Sequence, residues 1–335
     1  MTNPRDTGTL LRIARLHYEQ GLSQQEIATM LETSVSTISR ALKRAREKGI
    51  VEIRVVSQGM RLPEIERNLE KAFGLHDAIV VPTDSSLEAT RTSLGRAVAE
   101  YFETLVHNGM VIGVSDGLTT AAVANNLRMR GPLNIQVVPL LGGVGVPDMP
   151  THPIEVARAI TRSLGGVTRQ LNAPAMVQSA SVKKILLEDP VVKSTLDVIR
   201  RCDIALVGVG AVIPEAAMVI NNVMTIDEMM EARRMGAVGA ICARFYDEKG
   251  GPIDSDLDTR TISIRLEELQ KVKISIAVAI GDEKVPAIRA ALVGKLVKVL
   301  GTDQATAEKI LSQRSEHRGH SRQSEVPAKP SLELL

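Results

Sequence analysis

From Asp77 to Leu311 short, uninterrupted apolar runs alternate with helical stretches, and few folds can accommodate that pattern. The runs are DAIVVP, VIGVS, IQVVPLL, IALVGVG, AVGAICARF, TISIRL, ISIAVAI and LVKVLG. Between them, helical patterns cover Leu87–His107, stretches starting at Leu118 and Pro153, Ile226–Met235, Val285–Leu292 and Ala305–Leu311. A strand that is apolar on both faces must be covered on both, and a parallel sheet with crossover helices does this. The expected fold is therefore α/β, a Rossmann-like three-layer α/β/α domain around a mostly parallel sheet. Three Phe, three Tyr and no Trp make its core aliphatic. Stacking platforms for single-stranded nucleic acid are correspondingly scarce. Ligands of such sheets bind beyond the carboxyl ends of the strands, so a site is expected at the strand-to-helix turns.

Ahead of this region, Ser23–Arg44 reads SQQEIATMLETSVSTISRALKR, the spacing of two short helices crossing at a tight turn. Ser23 and Glu26 form a capping-box pair. Ile27 and Leu31 face inward, Ala28 leaves room for a crossing helix, and Ile38 is the next anchor after a turn through Glu32–Ser34. The small residue, turn and Ile at Ala28, Glu32 and Ile38 match the helix-turn-helix signature, except that glycine is usual where Glu32 stands. That turn favours positive φ, so Glu32 implies a strained or slightly altered turn at a cost of about 1 kcal/mol. The second helix starts near Val35. Ser34 at the end of the turn, with Ser36, Thr37, Ser39, Arg40, Lys43 and Arg44 on the outward face, supplies hydroxyls and cations for phosphates and base edges of double-stranded DNA. Leu10–Gln20 is a supporting amphipathic helix with Leu11, Ala14, Leu16 and Tyr18 among its apolar positions, and Ile50–Val56 alternates like the strand of a short wing.

Charge points the same way. Lys plus Arg number 41 against 39 Asp plus Glu, so the whole chain is nearly neutral, yet Arg40–Lys48 holds five cations against Glu47 alone. A local excess on one helix is a DNA footprint. Cys202 and Cys242 are the only cysteines, which excludes a disulfide framework or a cysteine-based zinc site; no metal or cofactor is expected. No signal peptide or membrane-length apolar run is present, and a cytoplasmic protein with no membrane partner is expected. The expected division is a winged-helix-like helix-turn-helix domain over 1–57, a linker and packing helix over 58–74, the α/β domain over 75–311, and a disordered tail over 312–335.

Three turns are candidate ligand contacts. In VIGVSDGLTTAAVA, Ser115, Asp116 and Gly117 turn the chain into a helix opening at Leu118, so that backbone amides and the hydroxyls of Ser115, Thr119 and Thr120 converge. They suit a phosphate or sugar hydroxyl, or else Ser115 and Asp116 simply cap the helix. Asp116 repels an anion unless it takes a hydroxyl elsewhere on the ligand. Gly208–Val209–Gly210 resembles part of a dinucleotide fingerprint with Ile213 in place of its third glycine, which also fits tight packing. Gly281 ends a buried run and Lys284 opens the following helix, where an ammonium meets an anionic ligand or only solvent.

In their order and separations these segments resemble the SorC family of bacterial sugar-responsive regulators. The resemblance runs from about Leu10 to Leu311 through GVSDGLTTAAVA, VVPLLGGVG, LNAPA, DIALVGVGAV, GAVGAICARFYDEKGG, GDEKVPAIRAAL and TDQATAEKIL. It implies a phosphosugar-isomerase-like effector domain, a sugar, polyol or sugar-phosphate effector, a homo-oligomer (dimer or tetramer), and repression of a carbohydrate or polyol catabolic operon. It also places the family's phosphate turn on Ser115, Asp116, Gly117, Thr119 and Thr120 and its lysine on Lys284. Many relatives carry an acidic residue where Ala240 stands, leaving Asp247 as the nearest carboxylate. The competing class is a sugar-phosphate isomerase-like enzyme with an appended DNA module, for which Asp116, Glu155, Asp247 and Lys284 are conceivable bases. The chain shows neither closely paired carboxylates nor a GxSxG nucleophile, and no catalytic residue is expected.

Overall fold

The computed structural model describes residues 7–51, 61–128, 131–146 and 149–312. It forms two compact units, Met1–Gly59 and Met60–Leu335. Most of the expected wing, the joint before Pro63 and nearly all of the expected tail lie outside the described residues.

The first unit holds α1 (Thr7–Tyr18), α2 (Gln24–Met30) and α3 (Val35–Glu47). Ser23 Oγ accepts from the Glu26 amide while the Glu26 carboxylate accepts from the Ser23 amide, closing the capping box. This backbone hydrogen bond holds the exposed Glu26 carboxyl below its usual pKa. Glu32 takes φ +47°, the left-handed turn its position demands. Leu10, Ile13, Ala14, Leu16, Ile27, Ala28, Ile38, Ala41, Leu42 and Ala45 make one core, with Ile50 and Val51 packed at its margin. The stripe of α1 differs from the expected one: Leu11 and Tyr18 are exposed, because Leu10 and Ile13 share the face that meets α3.

The second unit begins with α4 (Pro63–Phe73), β1 (Asp77–Val81), α5 (Leu87–Leu105), β2 (Val111–Val114), α6 (Leu118–Asn126), β3 (Gln136–Pro139), α7 (Pro153–Leu164) and β4 (Val167–Thr168). After these come α8 (Ala180–Glu188), α9 (Pro190–Ile199), β5 (Ile204–Gly208), β6 (Gly210–Ala211), α10 (Ala217–Ile220), α11 (Ile226–Arg234), β7 (Gly239–Ile241) and β8 (Arg244–Tyr246). The remainder is α12 (Asp256–Arg260), α13 (Leu266–Lys271), β9 (Ile274–Val278), a 3-10 turn (Asp282–Lys284), α14 (Val285–Val293), β10 (Val299–Asp303), and helix over 304–312.

Seven strands form one parallel sheet in the order β1-β10-β9-β5-β2-β3-β4. Successive strand residues alternate between two cores, as the pleat requires. Ala78, Val80, Ala205, Val207 and Ala277 face the core shared with α9, α13 and α14. Ile79, Val81, Ile204, Leu206 and Ile276 face the one shared with α5, α6 and α7. This is the expected α/β/α sandwich. Gly113 in β2 is required by contact: a Cβ there would fall 2.3 Å from the Leu140 side chain and 2.6 Å from Cys202 Sγ.

Two expected strands are corrected. AVGAICARF is a hairpin rather than one strand, because Cys242 and Ala243 both take positive φ and reverse the chain between β7 and β8. With β6 the pair makes a separate three-stranded antiparallel sheet, pinned by Tyr246 Oη donating to the Ala287 carbonyl at 3.0 Å. TISIRL makes only isolated bridges, Thr261 with Met176 and Ser263 with Leu141, since no neighbouring strand continues its register.

Candidate functional site

On α3 the side chains Ser39, Arg40, Lys43 and Arg44 are exposed, opposite the buried Ile38, Ala41, Leu42 and Ala45. Ser34 is the N-cap: its Oγ accepts from the Thr37 amide at 3.2 Å and shares hydrogen bonds with the hydroxyls of Ser36 (2.9 Å) and Thr37 (2.8 Å). Three hydroxyls are thus gathered at the start of the helix. Arg40 Nε donates to the Ser36 carbonyl at 3.2 Å, and the side chain remains exposed. Lys43 lies 3.9 Å from Glu47 across one turn, an exposed pair that little restrains.

In the second unit a cavity of about 370 Å³ opens at the carboxyl ends of β2, β5 and β9. The strand ends meet there because Val114 pairs with Leu206 and Gly208 with Val278. Asp116, Gly117, Thr119 and Thr120 of the β2–α6 turn, Gly208 and Gly210, and Lys284 all line it. Sequence widely separated along the chain is therefore brought to one void, as the sheet topology predicts. Its other walls come from α5, from the stretch around α10, and from Ala240, Cys242 and Ala243 of the hairpin.

Individual roles differ from the expected ones. Ser115 does not line the cavity: its Oγ donates to the Asp116 carbonyl at 2.8 Å and accepts from the Gly208 amide at 2.9 Å. Thr120 Oγ1 donates to the carbonyls of Asp116 and Gly117, so it closes the first turn of α6. Thr119 is buried and its hydroxyl has no hydrogen-bond partner among the described residues. Gly281 lies behind the wall: its amide donates to Thr306 Oγ1 at 3.0 Å and its carbonyl accepts from Lys284, setting up the turn that carries the lysine. Asp247 does not line the cavity. Its Oδ1 accepts from the amides of Lys249 (2.9 Å) and Gly251 (2.8 Å), making it the organiser of the turn after β8.

The cavity is charged on several sides. Burial pushes the Asp116 carboxyl up to about 6, against a hydrogen bond from its own amide. Burial lowers the Lys284 ammonium, Arg91 lowers it further, and Glu283 opposes both. Leu87, Arg91 and Glu215 also line the void, and none was singled out in the sequence. The available signal for Leu87 and Arg91 was their one-turn spacing at the start of the helix that follows the first strand. Such an arrangement can bind a polyhydroxylated, charged small molecule: Thr119 and Asp116 for hydroxyls, two cations for an anionic group. A smaller cavity of about 250 Å³ lies beside it, lined by His152, Arg158 and Asn172 and sharing Leu141 in its wall.

Residues 59–312 match the family described as "Putative sugar-binding domain". The chain is also 30% identical to the sorbitol operon regulator of Klebsiella pneumoniae, over 93% of this chain and the whole of that one. It belongs to the SorC family of transcriptional regulators. Residues 15–48 of this SorC-family regulator match "Sigma-70, region 4", a helix-turn-helix element that coincides with the last turn of α1 and with α2 and α3. It is 34% identical to the deoxyribonucleoside regulator of Bacillus subtilis, covering 90% of this chain and 96% of that one. The crystal structure of full-length SorC from Klebsiella pneumoniae superposes with a TM-score of 0.77, covering 92% of this chain and 100% of that one. Among the described residues of the regulator no helix is long and apolar enough to cross a membrane.

Proposed function

We propose that this regulator is a cytoplasmic repressor of a carbohydrate or polyol catabolic operon, released from its operator when a sugar, polyol or sugar phosphate occupies the cavity at the carboxyl edge of the sheet. The relatives support the class, being named regulators of sorbitol and deoxyribonucleoside systems. One observation carries the site: a single void gathers Thr119, the Asp116 carboxyl and the cations of Arg91 and Lys284. On the DNA side, α3 is the recognition helix, with Arg40 and Arg44 reading bases or phosphates and Lys43 contacting phosphate. Two such helices in a dimer would read half-sites about one helical turn apart, and a tetramer would add avidity on a longer operator.

An effector changes operator affinity only by binding the two arrangements of the protein unequally. Fluorescence anisotropy on DNA from upstream of the regulator's own operon, with and without a panel of phosphorylated and free pentoses, hexoses and tetritols, tests the proposal. Release by at least one member is the expected result. Tight, ligand-independent binding across the panel would remove the sugar effector, and turnover of any panel member would restore the isomerase alternative.

A further inference from the structure

Buried arginines in this chain show what a purely structural one looks like. Arg244 Nε donates to Ser263 Oγ at 3.0 Å, Nη1 to the carboxylate and carbonyl of Asp258, and Nη2 to the Thr261 carbonyl. Arg260 is paired with both Glu228 and Asp256. Arg91 is different. It lines the large cavity, its Nε is shut off from solvent, and that nitrogen has no hydrogen-bond partner among the described residues. It is in no ion pair among the described residues, and neither is Lys284 across the same void. A buried donor on a cation without an acceptor costs free energy that a bound group would recover.

We propose that Arg91 is the contact by which the cavity selects a phosphate monoester over the corresponding free sugar or polyol. The assignment rests on reading the cavity as the effector site, and it adds a residue that lies on α5, well outside the β2–α6 turn. Geometry supports it in three ways. Leu87 and Arg91 stand one turn apart on the face of α5 that meets the cavity, so the guanidinium is aimed there by the helix itself. Lys284 lines the same void, where the Glu283 carboxylate acts on it more strongly than Arg91 does, and a multiply charged anion there can meet both cations. The carboxylates of Asp116, Glu215 and Glu283 line the rest of the void, so the ligand must present hydroxyls there and its charge only to Arg91 and Lys284.

The test uses the full chain and two kinds of probe. With inorganic phosphate at millimolar concentration, calorimetry and thermal shift should show binding to the wild type. Arg91→Gln should lose about tenfold or more of that affinity, as loss of a charge-assisted contact predicts. Arg289→Gln serves as the control, since Arg289 Nε is equally buried and unpartnered but lies outside the cavity; it should bind phosphate like the wild type. With a sugar phosphate and its parent sugar, Arg91→Gln should weaken only the phosphorylated member, and Arg91→Lys should recover part of the difference. Wild-type phosphate affinity in Arg91→Gln, absence of phosphate binding to the wild type, or an equal loss for both sugars would overturn the assignment. If phosphate binding depends on Arg91 while no sugar phosphate alters operator affinity, the anion contact stands and the sugar effector falls.

Discussion

The Gly208 amide donates to Ser115 Oγ at 2.9 Å, and this bond carries the join between β5 and β2 one step past their last ladder hydrogen bond, Ser115 amide to Leu206 carbonyl at 3.0 Å. Ser115 is 1% exposed, so nothing in solvent can replace the bond. Ser115→Ala should therefore leave the Gly208 amide unsatisfied and lower stability by about 1–3 kcal/mol. Urea denaturation measures it. A loss of ligand response with unchanged stability would instead make the hydroxyl a direct ligand contact.

Asp116 should give the protein an unusual pH signature. Burial pushes its carboxyl up to about 6 in the folded chain, from an ordinary value of 3.8. Between those values the folded state binds more protons than the unfolded one, so this group's contribution to stability falls as pH rises. It is most favourable below the unfolded value and fully lost once pH passes the folded one. Asp116→Asn should therefore stabilise the protein relative to wild type by about 2–3 kcal/mol at pH 7, a gain that shrinks towards pH 4. Denaturation of both proteins across that range checks it. Comparing the two cancels the opposite trend of carboxylates such as Glu26, whose pKa is lowered. A pH-independent difference would show that Asp116 is solvated in the folded chain.

At Glu32, φ +47° places a side chain where glycine is at home. Glu32→Gly should stabilise the helix-turn-helix by roughly 0.5–1 kcal/mol, the relief of strain less the extra freedom of glycine in the unfolded chain. Melting of the isolated segment is not needed, because operator-bound and free full-length protein can be compared by hydrogen exchange at the α2 and α3 amides. Faster exchange in the variant would mean that Glu32 makes a compensating contact.

Arg40→Ala should cost about 1–3 kcal/mol of operator affinity and relax sequence preference at one base pair, whereas Lys43→Ala should weaken all DNA alike and lower the salt slope. Both side chains are exposed on α3, so folding should be unaffected. Anisotropy titrations at several salt concentrations separate the two effects. Operator affinity unchanged in both variants would take this face of α3 out of the DNA interface.

Much of this architecture is legible in the chain because local chemistry and burial agree. The capping box at Ser23 and Glu26, the positive φ at Glu32 and the apolar runs of β1, β2, β3, β5 and β9 are each dictated by residues within a few positions. Failures occur where a local pattern has two readings. Cys242–Ala243 turns the chain without Gly or Asn, so the hairpin looks like one long strand. Asp247 stands near the expected position in sequence, yet its carboxylate is used by the amides two and four residues on. Arg91 carries only a weak local mark, its one-turn spacing from Leu87, and it is the crossover from β1 to α5 that brings it to the strand ends.

The roof of the cavity is shared between two cores: Cys242 and Ala243 pack into one that flanks the main sheet, while Ala240 on the same hairpin does not. Val212, Met229, Ala237, Ala240, Phe245 and Ile253 pack with one another in a small core of their own, whereas the strand ends beneath are rooted in the two cores flanking the main sheet. An occupant touching both Ala240 and Thr119 would act as mortar in that seam. Its binding free energy would then add to whatever holds that seam closed.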